Sequence, residues 1–209
     1  MKIGIIGSGN IGATVGALLA KARHEVFYSF SRSDEKLRNL AAAAGDESRW
    51  GTARQAVEFG DVILLAPPYR ELDAVLEAAG PMTGKIVMDA VNPYTSTGPA
   101  YRDSGTAAEE IAAKLLNARI VKTYNHIYFK HIAERNHENP PLVAFISGDD
   151  AQAKQIAGQL LSDTGFFVWD LGDLYTARWT EPHGPLFNQP MTEAEAKPIV
   201  EKLPAIKRA

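Results

Sequence analysis

The feature that most constrains this chain is an alternation that begins at its second residue. KIGII (2–6) is a short apolar run, and ATVGALLAKA (13–22) follows with small and apolar side chains at helical spacing. HEVFYSF (24–30), DVILLA (61–66), GKIVMDA (84–90) and RIVKTYN (119–125) repeat the first pattern, with the look of strands buried on both faces. Helical segments lie between them: one from near Ser33 to a stop at Gly45, TARQAVEF (52–59), YRELDAVLEAAG (69–80), and one opening at Thr106 and running to Asn117, where Glu109 completes capping-box spacing. LVAFISG (142–148), AQAKQIAGQLLSD (151–163) and FFVWDL (166–171) add one more strand–helix–strand unit. Such alternation demands a doubly wound, mostly parallel α/β sheet with helices on both faces. Right-handed crossovers then gather the strand-to-helix loops along one edge, where ligands bind.

Two stretches break the rhythm. Residues 126–141 read as a polar excursion ending in Pro140-Pro141, and residues 183–209 as a polar, proline-containing arm outside the core. The expected organisation is one domain over 1–182, with a core of 1–125 and an extension of 126–182, followed by the arm. A length of 209 residues, 45% hydrophobic, supplies one core of that size. The net charge of −3 offers no basic field for nucleic acid. The chain has no cysteine, which excludes disulfides, thiolate metal sites and thiol nucleophiles. No run approaches the roughly 20 apolar residues of a membrane span. A cytoplasmic protein is the expectation.

Between the first strand and helix stands Gly7-Ser8-Gly9-Asn10-Ile11-Gly12. GxGxxG in this strand–turn–helix context is the fingerprint of a Rossmann dinucleotide site. Gly7 permits the tight turn, Gly9 the approach of a pyrophosphate, and Gly12 the close packing of helix on strand, with Gly16 one turn further on. In sites built for NAD an acid stands about 20 residues on, at the tip of the second strand, and holds the ribose hydroxyls. Here Ser31 and Arg32 occupy that tip, with Lys36 a helical turn beyond. A hydroxyl and a guanidinium fork suit a 2′-phosphate, so the expected cofactor is NADP(H). Ser31 or Ser33 is also a natural cap for the next helix.

No Tyr-x-x-x-Lys dyad, His-Glu-x-x-His pair or Gly-x-Ser-x-Gly elbow occurs, so neither a catalytic residue nor a metal ligand is assigned. Hydride transfer between stacked rings needs no protein acid, which points to a conjugated small-molecule acceptor. Reduction of a carbonyl or imine, with Tyr94, Tyr124 or His126 supplying the proton, and a non-catalytic NADP(H)-sensing module stay open as alternatives.

In order, GIIGSGNIG, the Ser31-Arg32 tip with Lys36, DVILLAPP, VMDAVNP, IVKTYN, ISGDDAQAK and LYTARWTEP resemble the NADPH-dependent F420 reductase family over residues 1–182. The resemblance implies a Rossmann NADP site, with F420 or a flavin as co-substrate at the carboxyl edge of the sheet. It implies that Ser8, Gly9, Asn10 and Ile11 lie on the pyrophosphate and Ser31, Arg32 and Lys36 on the 2′-phosphate. Ala66 and Pro67 would line the cofactor's path, and Asn92 and Asn125 would sit near the nicotinamide. The departure is at the C-terminus, where members that use F420 continue as an apolar helix closing the acceptor pocket. Tyr94, Tyr101 and Arg102, in the loop 94–105, offer material for a different pocket. A homodimer with the arm crossing to its partner is a further expectation.

Overall fold

The computed structural model describes residues 1–100 and 105–204. Along the chain come β1 (Lys2–Ile6), α1 (Asn10–Lys21), β2 (Glu25–Ser29), α2 (Asp34–Ala44), β3 (Arg49–Gly51), α3 (Ala53–Phe59) and β4 (Val62–Leu65). A 3-10 turn (Tyr69–Glu71) leads into α4 (Leu72–Ala79), then β5 (Ile86–Asp89), a hairpin of β6 (Tyr94–Thr95) and β7 (Gly98–Pro99), α5 (Ala107–Lys114) and β8 (Arg119–Lys122). The rest is α6 (Phe129–Arg135), β9 (Val143–Ile146), α7 (Ala151–Asp163), β10 (Phe167–Asp170), a 3-10 stretch (Leu174–Trp179) and α8 (Glu193–Val200).

Six strands form one sheet in the order β3-β2-β1-β4-β5-β8, every neighbouring pair parallel. This is the doubly wound Rossmann order, and its reversal between β1 and β4 opens a crevice at the carboxyl edge. The strands are continuous apolar runs because both faces are covered: all four residues of β4 are buried, as are Ile3, Ile5 and Ile6 of β1. β9 and β10 pair parallel in a separate ribbon, joined to β8 through an antiparallel bridge between Lys122 and Ser147.

Caps set the helix boundaries. Ser33, Thr52, Thr106 and Asp150 each accept a hydrogen bond from the backbone N–H three residues on, and Gly45 ends α2 with φ +105°. α5 stops at Lys114, short of the expected Asn117, because Leu115 leaves the helical region and Asn117 turns the chain at φ +63°. β3 has no counterpart in the sequence reading. Three residues are too few to show a period, and its pairing with β2 comes from the sheet.

Two expectations are corrected. The stretch 126–141 is not a solvated excursion: it contains α6, which packs on α1, and His126, Ile127 and Ile132 are buried. The described part of the arm expected outside the core, residues 183–204, folds back onto the β9–β10 ribbon instead of reaching away. Leu186, Met191 and Ala196 are buried against Val143 and Phe145, and Val143 N–H donates to the Met191 carbonyl at 2.7 Å. The ribbon is too small to cover its own outer face, so a few apolar residues spread through a polar stretch are enough to recruit it. Among the described residues no helix is long and apolar enough to cross a membrane, and no group of metal-binding side chains comes together.

Candidate functional site

The glycine turn is shaped by close contacts on three sides and openness on the fourth. Gly7 has φ +104°, and a Cβ there would strike the backbone of Ala66 and Pro67. A Cβ on Gly12 would strike the Gly7 carbonyl, and one on Gly16 would lie 2.6 Å from the Tyr28 ring. Gly9 meets nothing. It is the N-cap of α1 and supplies no side-chain acceptor, so the first N–H groups of that helix, with its positive end, face outward. Ser8 is buried, and its donors are engaged: its N–H bonds the Phe30 carbonyl at 3.0 Å and its hydroxyl the Ser29 carbonyl at 2.9 Å. Ser8 therefore ties the turn to the tip of β2.

At that tip Phe30 adopts a left-handed conformation (φ +54°), which turns the chain toward the turn. Ser33 takes the role of helix cap, accepting from Lys36 N–H at 3.3 Å, while Ser31 Oγ accepts the Ser33 N–H at 3.5 Å, and both serines border the cleft. Gly7, Gly9, Asn10, Ser31, Arg32 and Lys36 share one cavity of about 710 Å³. Ala66 and Pro67 back the turn, and the cavity wall on that side is Pro68 and Glu71. Glu71 was passed over in the sequence, although its place just after β4 puts it at the ligand edge. It pairs with Arg70 at 3.5 Å.

A second cavity of about 270 Å³ lies on the other side of the turn, bordered by Asn10, Asn92, Tyr94, Asn125, Tyr128 and Phe187, among others. Asn10 borders both, so the two halves form one cleft along the carboxyl edge. Asn92 and Asn125 are brought together: Asn92 Nδ2 donates to the Asn125 carbonyl at 2.6 Å, and Asn125 Nδ2 donates to Asn92 Oδ1 at 3.2 Å and to the Thr180 carbonyl at 2.7 Å. Tyr124 (φ +57°) turns the chain before Asn125 much as Phe30 does before Ser31. Tyr101 and Arg102 lie outside the described residues.

Beneath this second half lies a charge cluster that sequence reasoning missed. Asp89 and Lys122 are register partners on β5 and β8, both wholly buried, with Lys122 Nζ 2.9 Å from Asp89 Oδ2. Lys122 also donates to the Val91 carbonyl and lies 3.8 Å from Glu181 Oε1. Glu181 in turn accepts from the N–H groups of Ala107 (3.0 Å) and Ala108 (2.9 Å), at the start of α5. Burial pushes the Asp89 carboxyl above the usual range, and Lys122 works against that shift. The visible signal was a charge inside each of two apolar strands.

Two of the proposed proton donors are removed by their surroundings. The Tyr124 hydroxyl is buried against Thr164 Oγ1 at 2.7 Å, and burial pushes its pKa up. His126 is buried, its Nε2 accepts the Phe145 N–H at 3.2 Å, and burial pushes it down to about 3, so it stays neutral. Neither borders the cleft. Tyr94 does, and is 46% exposed.

Fold and cleft together define the class: a dinucleotide-binding α/β domain of the oxidoreductase type. Residues 2–93 match the family described as NADP oxidoreductase, coenzyme F420-dependent, in agreement with the resemblance read from the motifs. A hypothetical protein from Sinorhizobium meliloti superimposes with a TM-score of 0.83 at 24% identity, covering 92% of this chain and 96% of that one. A candidate F420-dependent NADP reductase from Arthrobacter sp. FB24 gives 0.76 at 25% identity, over 92% of this chain and 100% of that one. The metalloreductase STEAP3 of Rattus norvegicus is 26% identical over 180 residues, 86% of this chain. That match spans only 36% of the relative's length.

Proposed function

We propose that the protein binds NADP(H) across the cleft and passes hydride between its nicotinamide and a flat conjugated acceptor of the flavin or deazaflavin type. The observation that carries this reading is the continuity of the cleft: one open glycine turn separates a cationic half from an aromatic half. The residues present fit the cofactor. The outward N–H groups at Asn10 and Ile11 face where a pyrophosphate would lie, and nothing at Gly9 blocks its approach. Arg32 grips a 2′-phosphate with its fork, and Ser31 and Lys36 complete the anion site. Asn92 and Asn125 take the nicotinamide end, beyond Asn10.

NADPH supplies the hydride, and the protein supplies placement. Tyr94, Tyr128 and Phe187 offer ring faces and edges against which a planar acceptor stacks and from which water is displaced. The test is a titration of the purified protein with NADPH and NADH, with and without Arg32→Ala, followed by turnover with F420, FMN, FAD and riboflavin. NADPH preferred by at least about tenfold, lost in Arg32→Ala, with turnover of one of these rings, sustains the proposal. Binding of neither nucleotide overturns it. A second reading, reduction of a small carbonyl or imine, is favoured by Tyr94, a half-exposed phenol that borders the cavity. It requires that Tyr94→Phe abolish turnover, whereas stacked-ring transfer tolerates the change. Tight NADPH binding without turnover of any acceptor would favour the sensing module.

A further inference from the structure

Among the described residues three arginines are half-buried: Arg119, Arg135 and Arg178. Arg119 donates to Gln152 Oε1 at 3.0 Å and to the Gly84 carbonyl at 3.1 Å, and Arg135 donates to the two carboxylate oxygens of Glu138 at 2.7 and 2.9 Å. Arg178 has no hydrogen bond and no ion pair with any described residue. Its Cζ lies 3.5 Å from the centre of the Tyr175 ring, and its Nε is buried without an acceptor. The outer nitrogens, Nη1 and Nη2, are the edge that keeps accessible surface. A guanidinium carries N–H donors all round a fixed plane, and one withdrawn this far from water is left short of acceptors. Stacking on Tyr175 fixes the plane, so an oxyanion arriving at the open edge meets a fork already oriented.

Arg178 borders a cavity of about 140 Å³, together with Pro93, Ala100, Gly105, Glu181 and His183, among others. A water takes about 30 Å³, so the space holds a phosphate or carboxylate group with water beside it. The Glu181 carboxylate in its wall is already matched, by the N–H groups of Ala107 and Ala108 and by Lys122 at 3.8 Å. Pro93 borders this cavity while its neighbours Asn92 and Tyr94 border the aromatic half of the cleft, so the two spaces flank one segment. The stretch that carries Arg178 is fastened to the same wall, because the Thr180 carbonyl accepts from Asn125 Nδ2 at 2.7 Å. Flavins and deazaflavins of the kind proposed above carry phosphate at the end of a flexible sugar-alcohol chain. Such a chain lets the ring stack in one space while its anion sits in the next. We infer that Arg178 binds a phosphate on the side chain of the hydride acceptor, so that the substrate is a phosphorylated flavin or deazaflavin and not the phosphate-free alcohol. This rests on the ring-acceptor reading above and names the class of acceptor it takes.

The test is calorimetric titration of the full chain, saturated with NADP⁺, with two pairs of rings: FMN against riboflavin, and F420 against its phosphate-free core alcohol. In whichever pair binds, the wild-type protein should hold the phosphorylated member about tenfold more tightly. Arg178→Gln should shrink that ratio to below about twofold while the phosphate-free ring binds as before, within about twofold. Arg178→Lys, which keeps the charge and loses the fork, should retain part of the preference. Equal binding of both members of a pair by the wild-type protein overturns the inference and leaves the ring-acceptor reading standing. So does an Arg178→Gln protein that binds both members proportionally more weakly, because a purely structural role predicts that result. If no ring of either kind binds the NADP⁺-loaded protein, the acceptor reading falls, and the inference falls with it. The wild-type comparison needs no variant to fold.

Discussion

The two halves of the cleft are built on opposite plans. The cationic half is local: a six-residue turn, the tip of the adjacent strand and the first turn of α2 supply most of it, and its cations, Arg32 and Lys36, are exposed. The aromatic half draws on Asn10, the β5 tip, the segment after β8 and the segment around 187, with Thr180 and Glu181 behind it, and the charges that brace it are buried. Ligand charge can be met by side chains standing in water. Loops distant in sequence need a dry, directional fastening to hold a common geometry. The exposed cations of the first half should thus tolerate substitution with loss of binding alone, and the buried charges of the second should lose stability as well.

The largest contrast is expected between Lys122→Met and Arg32→Ala. Methionine keeps the volume of lysine but strands two buried carboxylates, which should cost about 3–5 kcal/mol in urea unfolding. Arg32→Ala, at an exposed position, should change stability by no more than about 0.5 kcal/mol. Equal costs would break the comparison. Next, Gly12→Ala drives a methyl into the Gly7 carbonyl and should cost about 1–3 kcal/mol, whereas Gly9→Ala meets open space and should lower NADPH affinity with the unfolding midpoint little changed.

A pH effect of about 2 kcal/mol should follow from His126 between pH 7.5 and pH 5. Its folded value, about 3, lies below the ordinary 6.5, so as pH falls through 6.5 the unfolded chain takes up a proton the folded chain refuses, and stability is lost. Asp89, raised by burial, acts with the opposite sign. Denaturation at the two pH values checks this, and His126→Gln should flatten the profile. The smallest effect sharpens the reading of the β2 tip. Ser33→Ala removes the α2 cap and should cost about 1 kcal/mol, while Ser31→Ala should leave the unfolding midpoint unchanged and weaken NADPH binding.

Legibility in the sequence followed the same division. The strand–helix order, the glycine turn, the Ser31-Arg32 tip, the cap at Thr106 and a cap at Ser31 or Ser33 could be read because each is a short-range pattern. α6 and the packing of Leu186 and Met191 could not, because their apolar residues are few and gain a face only when α1 and the β9–β10 ribbon present one. Tyr124 and His126 look like acid–base candidates in the sequence. Their pKa shifts arise from burial, which no local pattern records.

The sequence by itself determined the backbone chemistry of this protein: which residue can hold φ +104° at Gly7, which helix N-terminus stays uncapped, and which strand tip carries a guanidinium instead of a carboxylate. The tertiary structure decided which polar groups lost their water. Lys122 is acceptable in an apolar strand only because Asp89 stands in register beside it, and Glu181 is acceptable because it meets the start of α5. The Asn125 amide is fixed because Asn92 and the Thr180 carbonyl, from segments far along the chain, take its two N–H bonds. Desolvation is a property of everything packed around a group, so it emerges only when distant segments meet.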